Sequence, residues 1–150
     1  MEGPVLCGFD DSAIATGATR VARDLASRYG LPLLYAHVRE RGTSRLGEKR
    51  LYEAAAADHA AIAIERGHPA DRLVALARER RASFLVLGNH GPRSSLLGSV
   101  SAEVSRRAPC PVVVVPPTAR VGWAQGAGSR AELAGGMVRL AAGQAPRSRA

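Results

Sequence analysis

The chain has 150 residues, of which 46% are hydrophobic and 23% charged; this suits one domain with a core of its own and excludes a disordered protein. Its formal net charge is +8, but residues 1–116 carry 16 basic and 12 acidic groups while the remainder carries five and one, so half of the excess lies in the tail. Aromatic residues make up only 4% of the chain, and no helix-turn-helix or zinc-finger spacing is present, which argues against specific nucleic-acid binding.

No run approaches the roughly 18 apolar residues of a membrane-crossing helix. The opening MEGPVLCGFD has no basic stretch ahead of an apolar one, so a cytoplasmic protein without membrane contact is expected. Cys7 and Cys110 fit no metal spacing and read as reduced core thiols.

Residues 4–9, PVLCGF, form an apolar run that ends at Asp10, the pattern of a buried strand whose carboxyl end meets a loop. From Ser12 to Tyr29, Ile14, Ala18, Val21, Ala22, Leu25 and Tyr29 recur at helical spacing opposite Arg20, Arg23, Asp24 and Arg28, which predicts an amphipathic helix. Asp11 and Ser12 supply N-cap chemistry and Gly30 a stop. LPLLYAHV, residues 31–38, is a second strand, and a single intervening helix makes it parallel to the first.

Residues 39–47 are charged and turn-rich, and the alanine-rich residues 48–57 predict a helix. AAIAIE, residues 60–65, is a third strand; after Gly67, Pro69 opens a helix carrying Leu73, Val74 and Ala77 on one face. FLVLG, residues 84–88, is a fourth strand entering a glycine-containing loop. Residues 99–108 then form a helix that aligns Val100, Val104 and Ala108 and stops at Pro109. PVVVVPP, residues 111–117, is a fifth strand whose prolines place it at an edge. The alternation predicts an α/β fold, an open five-stranded parallel sheet flanked by helices, over residues 1–117. Residues 118–150 read as a basic, Gly/Ala-rich, flexible tail.

The chemistry-bearing segment is LGNHGPRSSLLGSVS, residues 87–101, in which Gly88, Gly91 and Gly98 bracket polar residues between a strand and a helix. Glycines let backbone approach a phosphate closely, the helix start offers unpaired amides, and Arg93 adds a charge. The pattern is neither a P-loop nor a dinucleotide G-x-G-x-x-G. Asp10 faces the same crevice and either accepts hydrogen bonds from base or ribose or caps the first helix. His90 lies in the loop, whereas His37, His59 and His68 have no companions at ligand spacing, which argues against a protein-made metal site.

With FDDS ending the first strand, Gly67-His68-Pro69-Ala70 before the third helix and RRAPCPVVVV at the close, residues 4–116 resemble the universal stress protein family. The resemblance implies a Rossmann-like fold of the adenine nucleotide alpha hydrolase type. It also implies a homodimer paired through Val112, Val113, Val114 and Val115, and ATP or another adenine nucleotide, with or without Mg. Asp10 and Val38 would hold adenine and ribose, while Gly88, Gly91, Gly98 and Ser99 would surround the phosphates. The family's ATP-binding pattern has nine residues between its second and third glycines; here PRSSLL supplies six. Three residues are one turn, a shift of up to roughly 5 Å for the Gly98 and Ser99 amides. Three readings follow: a nucleotide-binding dimeric stress-response module, an interaction scaffold of the same fold that binds no nucleotide, and a weak ATPase using Asp10, His90 and Arg93.

Overall fold

The computed structural model describes residues 2–10, 15–40, 46–89, 98–117 and 119. In chain order these form β1 (Val5–Gly8), α1 (Ala15–Tyr29), β2 (Leu33–Arg39), α2 (Leu46–Asp58), β3 (Ala61–Arg66), α3 (Pro69–Glu79), β4 (Phe84–Gly88), α4 (Ser99–Arg107) and β5 (Val112–Val115). The strands make one parallel sheet in the order β3-β2-β1-β4-β5.

The period-two alternation of side chains sorts the core into two layers. Val5 and Cys7 of β1, with Leu33, Tyr35, Phe84, Val86, Val113 and Val115, pack against Ala18, Ala22 and Ala26 of α1 and Leu51 and Ala55 of α2. Leu6, with Leu34, Ala36, Leu85 and Leu87, packs against Leu73, Val74 and Ala77 of α3 and Val104 of α4. Small alanines on α1 bring that helix close over the central strand, where Val5, Leu6 and Cys7 are wholly buried.

Helix ends follow the chemistry expected of them. Gly30 takes φ +62°, and the Leu31 N–H bonds the Ala26 carbonyl at 2.9 Å across it, the left-handed stop that glycine permits without strain. Pro69 stands in the first turn of α3 behind His68. The residues proposed to cap α1, Asp11 and Ser12, lie outside the described residues, as does Ile14.

Two details depart from the sequence reading. Tyr29 closes the apolar face of α1 only with its ring, which packs on Phe84 at 5.5 Å between centroids while the side chain stays exposed. The fifth strand is shorter than residues 111–117, because Pro116 and Pro117 have no N–H for the ladder. Of residues 118–150, only Ala119 is described.

The chain leaves β1 for α1 on one face of the sheet and leaves β4 for α4 on the other. The strand order therefore reverses between β1 and β4, and it is outside the carboxyl ends of such a strand pair that open α/β sheets form their binding crevice.

Candidate functional site

Asp10 reaches this crevice by a fixed route. Gly8 is in register with Ala36 of β2, so Asp10, two residues past Gly8, leaves the end of β1 beside Val38, which still belongs to β2 and pairs with Glu65 of β3. The Phe9 N–H donates to the Ala36 carbonyl at 2.7 Å. The buried His37 donates its Nδ1–H to the Phe9 carbonyl at 3.0 Å, since a carbonyl can only accept. Phe9, the residue after β1, is thus held at both its backbone polar groups just before Asp10. Val38 is half-buried against the α3/α4 layer.

Across the crevice, Gly88 ends β4 and Gly98 immediately precedes α4. Asn89 ties the two together. Its backbone N–H donates to the Val115 carbonyl at 2.9 Å, and its side-chain Oδ1 accepts the Gly98 N–H at 2.9 Å. Ser101 adds an Oγ–H bond to the Gly88 carbonyl at 3.3 Å and is itself gripped by Ser105, whose Oγ donates to the Ser101 carbonyl at 2.7 Å. Asn89 and Ser101 are both buried. The first helical carbonyl partner in α4 is Gly98, which accepts from Ala102 at 2.9 Å. The N–H groups of Ser99, Val100 and Ser101 therefore lack intrahelical acceptors and, with the exposed Ser99 hydroxyl, carry the positive end of the helix.

Asp10, Val38, Gly88, Gly98 and Ser99 are thus gathered at one end of the sheet. Gly91, Arg93 and His90 lie outside the described residues. Asn89 is the participant that sequence reasoning missed. Its bond to Gly98 spans nine residues, beyond the reach of local capping patterns, and the only signal was an amide side chain directly after a strand-ending glycine.

The thiols offer no nucleophile here. Burial, with the charges of Asp10 and Asp58 adding to it, pushes the Cys7 thiol far up, so it stays protonated. Cys110 is also pushed up by burial and precedes β5, at the opposite end of the strands.

His68 does have companions, contrary to the reading from spacing. Its Nδ1 lies 3.6 Å from Asp71 Oδ2 and its Nε2 lies 3.9 Å from Glu103 Oε2, a set of metal-ligating groups. The helix pair hid this from the sequence, because Glu103 comes from α4. The Arg107 guanidinium already bonds both carboxylates, at 2.6 Å each, so the cluster carries its own cation and ties α3 to α4.

The sequence profile of the Universal stress protein family matches residues 39–116. A universal stress protein from Thermus aquaticus is 31% identical over 132 residues, covering 74% of this chain and 96% of that protein. One from Mycolicibacterium smegmatis is 33% identical over 136 residues, covering 76% of this chain and 46% of that longer protein. Among solved structures, a universal stress protein in complex with cAMP superposes with a TM-score of 0.65 at 29% identity, covering 79% of this chain and all of the other.

Proposed function

The chain belongs to the universal stress protein family, and from that premise we propose that it binds an adenine nucleotide between the carboxyl ends of β1 and β4. In this reading it is a dimeric stress-response module that signals by occupancy and not by turnover. The observation that carries the proposal is the pairing, at one end of the sheet, of a carboxylate-bearing strand end with a helix start whose first amides have no intrahelical acceptor. A nucleotide has the matching ends: hydroxyls and an exocyclic amine that donate to Asp10, and phosphate that accepts from the Ser99 amide and hydroxyl. Val38 supplies an apolar wall for the base, while Gly88, Gly91, Gly98 and Arg93 complete the phosphate end. A solved relative holds cAMP, which supports an adenine ligand. The dimer pairs through β5, one of the two edge strands of the sheet.

The test is to purify the protein without added nucleotide, denature it and chromatograph what is released, then titrate it calorimetrically with ATP and AMP, with and without Mg. Co-purified or micromolar-affinity adenine nucleotide is expected, and Asp10→Ala should weaken binding by about tenfold or more, the loss of a hydrogen bond to a charged group. An empty protein that ignores both ligands would overturn the proposal in favour of a scaffold. Steady phosphate release abolished by Asp10→Ala would establish hydrolysis instead.

A further inference from the structure

We infer that the Asn89 carboxamide, by holding the Gly98 N–H, reserves the α4 end of the site for a single phosphate, so that adenosine monophosphates bind in preference to ATP. This rests on the nucleotide reading above.

Three features of the site lead there. The Gly98 amide is one of the donors that a polyphosphate would need, and Asn89 Oδ1 occupies it at 2.9 Å. Asn89 cannot yield it cheaply: the residue is buried, its backbone is fixed by the Val115 carbonyl at 2.9 Å, and withdrawing the Gly98 N–H from Oδ1 removes a hydrogen bond from a polar atom largely shielded from water. What remains at the start of α4 is the amides of Ser99, Val100 and Ser101 and the Ser99 hydroxyl, enough for one phosphate group. Discrimination here works by a donor already spoken for, so the ligand that does not need that donor is preferred.

The experiment is calorimetric titration of the full chain with AMP, cyclic AMP and ATP, for wild type, Asn89→Ala and Asn89→Asp, each checked by circular dichroism. The expected wild-type result is that AMP or cyclic AMP binds at least about tenfold more tightly than ATP, the worth of one hydrogen bond to a charged group. The AMP and cyclic AMP arms then separate the two monophosphate forms. Asn89→Ala should release the Gly98 amide and close that gap by about threefold or more, through ATP affinity alone. Asn89→Asp keeps the acceptor for Gly98 and adds a negative charge, so it should fold and widen the gap. If wild type binds ATP as tightly as the monophosphates, or if Asn89→Ala folds and leaves the ratio unchanged, the specificity role is overturned while nucleotide binding stands. If no adenine compound binds wild type, the nucleotide reading itself fails.

Discussion

Tyr35 is wholly buried in the α1/α2 layer, yet its phenol O–H donates to Asp58 Oδ2 at 2.6 Å, and Arg23 closes on Oδ1 of the same carboxylate at 2.9 Å. One aspartate thereby joins β2, α1 and α2. Burial pushes the Tyr35 phenol up, and the bond to Asp58 and its negative charge push it further. The folded protein thus holds this proton more tightly than the unfolded chain. The stabilisation is fully present below the ordinary phenol value of 10.0 and is lost as pH rises from there through the folded value. Tyr35→Phe should cost about 1.5 kcal/mol near neutral pH, the worth of one hydrogen bond to a charged acceptor. Urea unfolding should then show wild type and variant converging above about pH 10, because only the wild type loses a tyrosine contribution there. A gap that stays constant up to alkaline pH would show that the hydroxyl bond contributes nothing that titrates.

At the scale of elements, α3 and α4 are joined outside their shared apolar layer by the Asp71–Arg107–Glu103 chain. The Arg107 hydrogen bond holds the Asp71 carboxyl below its ordinary range. Its contribution is therefore present above the ordinary value of 3.8 and is lost as pH falls through the folded value. The groups are exposed, so salt should screen the tie. Arg107→Ala is expected to lower Tm slightly in dilute buffer and not at all in molar salt; a loss independent of salt would mean that the arginine stem packs and its charge is idle. Nothing in residues 68–107 announced this pairing, because it depends on two helices lying side by side. The elements themselves were legible: FLVLG became β4 with the bounds expected, and Pro69, Gly30 and Pro109 marked helix limits through backbone constraints that hold wherever they occur. Asp10, Val38, Gly88, Gly98 and Ser99 were likewise readable as strand-end and helix-start positions. Asn89 was not, and neither was the Tyr35–Asp58 bond, because a long-range partner leaves no period in the sequence.

At the scale of the whole molecule, the sheet formed by the described residues has two edges, and they are not alike. β3 shows the exposed Ala61 and ends in Glu65 and Arg66, charges that discourage further strand pairing. β5 is four consecutive valines between prolines. Val113 and Val115 are buried beneath α1, and Val112 packs against the α3/α4 layer. Val114, two residues on from Val112 and so on the same face, is half-buried in register with Leu87. A second copy of β5 related by a twofold axis would pair its backbone with this edge and cover Val114 on both sides. Val113 is a poor place to test this, because a charge there would enter the core and unfold the chain. Val114→Lys puts the charge on the edge alone. Wild type is expected to elute as a dimer in size-exclusion chromatography with light scattering, and Val114→Lys as a monomer with unchanged far-ultraviolet circular dichroism. A monomeric wild type, or a variant that remains dimeric, would remove β5 as the interface. Because Asn89 links the Val115 carbonyl to the Gly98 amide, the same edge lies one residue from the proposed phosphate site. If the dimer holds, its formation and occupancy of the crevice act on one rigid corner of the fold, and adenine nucleotide should alter the monomer–dimer balance of wild type but not of Val114→Lys.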